Sequence, residues 1–242
     1  MLDPANWLAI AMLAGVIFFT TLAVWRDCRR SGYQPGAYFG IRALWLVCKL
    51  WHGVRPRGPD PLPATGPAIL ISNHTSTIDP LFLQCASRRV ISFLMAREYY
   101  NIKLLQPIFN LNKPILVNRT GRDTAAMKAT LRALGEGRVV GIFPEGGIHL
   151  DADSIGRAKP GTAMLALLTR VPVIPAFIER RPHTNNLWIG ITHPANARVF
   201  FGSPIDLSPY YDGEHDNAAL EQVTQLLMEN IAKLRPKRDE TR

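Results

Sequence analysis

Apolar and polar positions change their rhythm twice along this 242-residue chain. From Ala5 to Trp25 the sequence is one apolar run, interrupted by Asn6, Thr20 and Thr21. At about 1.5 Å of rise per residue, a helix over this run is roughly 30 Å long, the thickness of a bilayer core, so a spanning anchor is expected, with a helix lying flat in one leaflet or a buried core helix as the alternatives. A second helical stretch, Ile41 to Trp51, combines Leu44, Trp45, Leu50 and Trp51 with Arg42 and Lys49. Tryptophan beside basic residues suits a membrane interface. Arg55 to Pro67 is rich in proline and glycine and reads as a linker. The expected division is therefore a membrane-anchoring helical segment over residues 1–57 and a main domain over residues 58–242.

From Ala68 short apolar runs alternate with helical stretches. Strands are predicted at Ala68–Ile71, Val90–Met95, Ile115–Val117, Val139–Phe143, Val171–Phe177, Leu187–Thr192 and Arg198–Phe201. Helices are predicted at Pro80–Ser87, Asp123–Leu134, Gly161–Thr169 and Asp216–Leu234. In the last, Leu220, Val223, Leu227, Ile231 and Leu234 form one apolar stripe. Strands alternating with helices predict an α/β domain, a mixed sheet flanked by helices.

Charge narrows the partners. The net charge of +9 calls for an anionic surface or substrate. Basic residues are scattered and no base-stacking module is evident, so nucleic acid is not the expected partner. The apolar run has Asp3 before it and Arg26, Arg29 and Arg30 after it. By the positive-inside rule, the main domain faces the cytoplasm from a cell (inner) membrane. No basic start and no small-residue cleavage site mark the run as a secretory signal. Cys28, Cys48 and Cys85 show no paired spacing, so neither a zinc ribbon nor a disulfide framework is expected. Asp151, Asp153 and His149 lack the spacing of a metal loop, and Ser76 and Ser203 lack a nucleophile elbow.

The chemistry concentrates at strand ends. Asn73-His74-x4-Asp79 follows the apolar run Ala68–Ile71. A histidine oriented by a carboxylate takes a proton from an alcohol near neutral pH. Five positions on a regular helix are about 140° apart, so the two side chains meet only if the chain turns between them. Pro80 suits a first helical position with Asp79 at the cap. That turn also supports a plainer reading, in which Asp79 is only a cap and His74 a loop residue. Phe143-Pro144-Glu145-Gly146-Gly147 ends another strand, where ligands of open α/β sheets bind. Its plainer reading is a strand-end turn. Arg119, just after Ile115–Val117, and Lys159, just before a helix, are anion-binding candidates, although either alone is more often a solvated surface charge. Val173-Ile174-Pro175 alone reads as an edge strand.

Taken in order, His74-x4-Asp79, Val117-Asn118-Arg119, Phe143-Pro144-Glu145-Gly146 and Val173-Ile174-Pro175 resemble the four blocks of the glycerolipid acyltransferase family, best known from the 1-acyl-glycerol-3-phosphate acyltransferases. The resemblance covers roughly residues 68 to 205. It implies a membrane-associated O-acyltransferase of phospholipid biosynthesis, in which His74 is the general base and Asp79 orients it. It implies that Asn73, Arg119, Glu145, Gly146, Gly147 and Lys159 bind substrate. It implies no cofactor and no metal, with acyl-CoA or acyl carrier protein as co-substrate and a lysophospholipid such as lysophosphatidic acid as acceptor. The third block departs from the family by continuing Gly147-Ile148 where a polar pair is usual, with Arg157 or Lys159 as replacements for the missing basic contact. The acceptor is thereby left open between lysophosphatidic acid, another lysophospholipid and an amino-acid lysolipid. A hydrolase using the same pair on water and a non-enzymatic membrane adaptor are the competing readings.

Overall fold

The computed structural model describes residues 14–15, 18–26, 28–29, 35–118, 123–151, 155–214 and 216–236. Helix α1 (Pro35–Trp51) leads into β1 (Arg55–Arg57), β2 (Ala68–Ser72), α2 (Asp79–Ala86) and β3 (Ile91–Ala96). Two short helices, α3 (Arg97–Tyr100) and α4 (Gln106–Leu111), precede β4 (Ile115–Val117). There follow α5 (Thr124–Gly135), β5 (Val139–Ile142), α6 (Gly161–Thr169), β6 (Val173–Glu179), α7 (Leu187–Thr192), β7 (Arg198–Phe201) and α8 (Asn217–Lys233).

The strands form one seven-stranded sheet in the order β1-β7-β6-β2-β5-β3-β4. Every neighbouring pair is parallel except β6 and β7, which run antiparallel. The sheet is thus mixed and lies between helices, as the alternation predicts. Central strands of such sheets are covered on both faces and read as unbroken apolar runs. β2 and β5 are buried at every position. Along β2, Ala68 and Leu70 point into one core with Phe82, Leu83, Ile91, Phe93 and Ile174. Ile69 and Ile71 point into the other, with Leu134, Leu165, Leu167, Val223, Leu227 and Ile231. The two-residue period of a strand divides the apolar run between the two layers.

The helices are set by local signals. In α8, Val223, Leu227 and Ile231 are buried four residues apart, and Asp216 caps the helix by accepting from the Ala219 N–H at 2.7 Å. Asp123 caps α5 by accepting from the Ala126 N–H. Gly141 is a packing requirement of β5, because a Cβ there would collide with the Phe93 ring of the neighbouring strand.

Three expectations are corrected. Leu187–Thr192, predicted as a strand, is helix α7. Its apolar residues Leu187, Trp188, Ile189 and Ile191 are too few for a decisive period, and Asn186 starts a helix by accepting from the Trp188 and Ile189 N–H groups. Within the stretch read as linker, Arg55–Arg57 is an edge strand paired with β7. All three of its side chains are exposed, which leaves no apolar alternation to see. Helix α1 starts at Pro35, six residues before the predicted Ile41. Proline is accepted in a first helical turn because its missing N–H has no partner there.

The apolar run Ala5–Trp25 lies largely outside the described residues. Residues 18–26 are helical and expose Phe18, Phe19, Val24 and Trp25. Among the described residues, no helix is long and apolar enough to cross a membrane. The expected spanning anchor is therefore not supported by the fold.

Candidate active site

The carboxyl ends of the adjacent strands β6, β2 and β5 meet, and the loops leaving them form one polar cluster. The β2–β6 ladder stops at Ser72 opposite Ala176. Asn73 continues it with its side chain. Its Nδ2 donates to the Ile178 carbonyl at 3.0 Å, and its Oδ1 accepts from the Ile178 N–H at 2.7 Å and from the Ser72 hydroxyl at 3.2 Å. Asn73 is buried, and both of its polar atoms are engaged. It fixes the point where the chain leaves the sheet.

His74 and Asp79 meet because the chain turns between them. The Asp79 N–H donates to the Ser76 carbonyl at 3.1 Å, and α2 begins at Asp79 itself. The cap position belongs to Ile78, so the expected capping role of Asp79 is not realised. The Asp79 carboxylate instead folds back over its own loop. Oδ2 accepts from the Thr75 N–H at 2.6 Å and the Ser76 N–H at 2.7 Å, and lies 3.2 Å from His74 Nδ1. Two backbone donors stabilise the ionised carboxylate. An ionised carboxylate only accepts, so Nδ1 holds the imidazole hydrogen and Nε2 presents a lone pair. The ring stacks on Phe143 at 4.0 Å between centroids, 14° from parallel. Its side chain keeps 15% of its surface exposed, whereas Asp79 keeps none. The base is reachable and its carboxylate is sealed.

Glu145, after β5, ties two loops together. Its Oε1 accepts from the His74 N–H and its Oε2 from the Gly156 N–H, each at 2.9 Å. Burial raises the Glu145 pKa, and these two backbone donors oppose the rise. The His149 N–H donates to the His74 carbonyl at 2.7 Å, and the Thr184 N–H to the Thr75 carbonyl at 3.0 Å. The loops after β5 and β6 thus both hold the loop after β2. Gly146 has a φ of +67°, and a Cβ there would come within 2.8 Å of the Lys159 side chain. The aliphatic stem of the exposed Lys159 lies across this glycine, and its N–H donates to the Pro144 carbonyl at 2.9 Å. Gly147 is exposed, with open space on its side-chain face. Arg119, expected to bind phosphate, lies outside the described residues.

One residue of the cluster escaped the sequence reading. Arg180 directly follows β6, is buried, and places Nη1 3.9 Å from Asp79 Oδ1. Burial lowers its pKa, and Asp79 opposes that shift. The strand predicted to end at Phe177 runs on to Glu179, and that extension is what sets Arg180 directly at the carboxyl end of β6. A cavity of about 70 Å³ opens beside Asn73, Thr75, Glu145, His149 and Arg180. A larger one of about 370 Å³ lies between the 202–206 loop and α8 and includes none of these residues. Among the described residues, no three His, Cys, Asp or Glu side chains are grouped to hold a metal. The cluster suits proton transfer between an alcohol and Nε2 of an oriented, neutral histidine.

The acyltransferase family model matches residues 53–179, just over half of the chain, and the match contains His74, Asp79, Glu145, Gly146 and Lys159. The 1-acyl-sn-glycerol-3-phosphate acyltransferase of Borreliella burgdorferi is 28% identical over 151 residues, which are 61% of this chain and 57% of that protein. The protein of the same name from Bacillus subtilis is 22% identical over 205 residues, 84% of this chain and 98% of its own length. The crystal structure of the 1-acyl-sn-glycerophosphate (LPA) acyltransferase PlsC from Thermotoga maritima has the same fold, with a TM-score of 0.61, 18% identity and 96% of each chain covered. With the ordered blocks and the His–Asp pair, the family match places the chain in the acyltransferase family.

Proposed function

We propose that the protein transfers a fatty acyl group from an acyl thioester, acyl-CoA or acyl carrier protein, to the free hydroxyl of 1-acyl-sn-glycerol-3-phosphate, giving phosphatidic acid. The observation that carries this reading is the contact of His74 Nδ1 with an Asp79 carboxylate fixed by two backbone N–H groups. His74 Nε2 takes the hydroxyl proton as the oxygen attacks the thioester carbonyl. A C–O bond forms, a tetrahedral intermediate collapses, and the C–S bond breaks. The imidazolium returns its proton to the leaving thiolate, so the protein ends unchanged and needs no cofactor. Removing such a base costs about 10²- to 10⁴-fold in rate.

Phosphate recognition falls to Arg119 and to Lys159, whose stem is steered across Gly146. Fixing the head group converts a bimolecular encounter into an oriented one. The backbone amides near Gly146 and Gly147 are the candidates for holding the oxyanion. The names of the relatives support the choice of acceptor.

The setting in this reading is the cytoplasmic face of the cell membrane, with residues 1–57 as anchor and 58–242 as catalytic domain. Support comes from the apolar side chains that α1 exposes, namely Phe39, Leu46, Val47, Leu50 and Trp51. Arg42 and Lys49 stack on Trp45, and Arg29 on Trp25, as basic and aromatic groups do at head-group depth. On α7, whose Gly190 lies against Thr77 and Ile78, Trp188 and Ile189 are exposed as well.

The test uses purified protein in lipid vesicles, a labelled acyl thioester, and lysophosphatidic acid or another lysolipid as acceptor. Transfer to lysophosphatidic acid that disappears in His74→Ala is the expected result. Transfer only to a different lysolipid moves the acceptor and keeps the mechanism. Free fatty acid alone makes the protein a hydrolase, and turnover that survives His74→Ala removes the base assignment.

A further inference from the structure

Asp79 and Arg180 have side chains with no exposed surface, and their polar atoms are served very unequally. Asp79 Oδ2 collects the Thr75 and Ser76 N–H groups and faces His74. Asp79 Oδ1 has no hydrogen-bond partner among the described residues, and neither do Nε, Nη1 and Nη2 of Arg180. What these atoms have is each other, Nη1 lying 3.9 Å from Oδ1. The guanidinium is held in place from below by the Phe82 ring, 5.2 Å away, and His52 meets the same ring edge-on at 5.3 Å.

A guanidinium stays charged at any working pH, so enclosing it has a large desolvation cost. Well-packed apolar residues usually replace a buried ion pair without loss of stability. The charge at this place therefore points to a task, and its ion-pair contact among the described residues is the carboxylate that orients His74.

We propose that Arg180 is a positioning residue, which from the end of β6 holds Oδ1 of Asp79 so that Oδ2 stays aimed at Nδ1 of His74. The inference rests on the reading of His74 as the base. Arg180 cannot itself grip a head group, because its side chain has no exposed surface. A carboxylate held at both oxygens does not swing about its Cβ–Cγ bond, so Oδ2 stays on Nδ1 of His74.

The experiment measures kcat and acceptor KM for the full chain in lipid vesicles, with lysophosphatidic acid as acceptor. Arg180→Met, Arg180→Lys, Asp79→Asn and His74→Ala are compared with wild type. For Arg180→Met we expect kcat to fall about 10- to 100-fold, as for a group displaced by about 1 Å. The acceptor KM should stay within about twofold, and Arg180→Lys, which keeps the charge, should restore most of kcat. A folded Arg180→Met with wild-type kcat overturns the proposal, as does a loss that lies in acceptor KM alone. Should Arg180→Met not fold, Asp79→Asn with and without Arg180→Met decides, since that pair removes both charges. Equal residual rates support action through Asp79, and a further tenfold loss overturns it. Transfer surviving in His74→Ala would instead sink the base assignment, a failure separate from that of Arg180.

Discussion

Replacing Asn73 by alanine tests how the loop after β2 is held. The substitution removes one donated and two accepted hydrogen bonds, to the Ile178 carbonyl, the Ile178 N–H and the Ser72 hydroxyl. Ile178 is 1% exposed, so its two backbone groups gain no ready water in exchange. Each buried group left unsatisfied costs about 1–3 kcal/mol. The two together give a loss of about 2–6 kcal/mol, against about 5–15 kcal/mol for the whole stability of a typical domain. The assay is urea unfolding of purified protein, run beside the acyl-transfer kinetics. We expect a lower midpoint at unchanged slope, a lower kcat because His74 follows Asn73 in the chain, and an acceptor KM close to wild type. Asn73→Asp keeps the shape but sets a carboxylate oxygen against the Ile178 carbonyl, so at neutral pH it should be no more stable than the alanine variant. A stability loss below about 1 kcal/mol, joined to a large rise in acceptor KM, would refute the reasoning. Asn73 would then be a substrate ligand and not the brace of its loop.

Further outcomes follow from the same geometry. Gly141→Ala drives a methyl group into the Phe93 ring and should cost about 1–3 kcal/mol by thermal unfolding; adding Phe93→Leu should recover part of that loss. Gly146→Ala adds strain at a φ of +67° and displaces the Lys159 side chain. Its acceptor KM should rise for lysophosphatidic acid and stay unchanged for a lysolipid without phosphate. Burial raises the Glu145 pKa above its ordinary 4.5, so the folded state binds the proton more tightly than the unfolded chain does. The stability this contributes is complete below 4.5 and is lost as pH rises through the raised value. Relative to Glu145→Gln, the wild type should therefore lose unfolding free energy as pH rises above 4.5, and a parallel pH profile for the two proteins would show the assigned shift to be absent.

What could be read from the sequence follows the range of the forces involved. β2 and β5 were visible because both faces of each are covered, which writes an unbroken apolar run into the chain. Helix α8 was visible through its stripe, and the turn between His74 and Asp79 through Pro80. Helix α7 was misread because a six-residue segment this short has no decisive period and the Asn186 cap was not weighed. The exposed strand β1 had no pattern to offer. Asn73 and Glu145 were marked as substrate ligands by resemblance, yet their polar atoms turn to Ile178, His74 and Gly156, partners that only the fold brings near. Arg180 was missed for the same reason, since its meaning depends on Asp79 in a neighbouring strand's loop. The expectations for Arg119 and for most of Ala5–Trp25 fall on residues beyond those described.

The braces of the site reach far along the chain. His74 and Asp79 are five residues apart, but the Glu145 bond to the His74 N–H spans 71 residues and the Asn73 bonds to Ile178 span 105. Contacts of such separation close large loops and form late in folding, when most of the sheet has assembled. A nascent chain that has emerged only as far as α2 holds the His–Asp motif without the parts that aim it. The outer braces of the loop are thereby complete only once synthesis has passed β6.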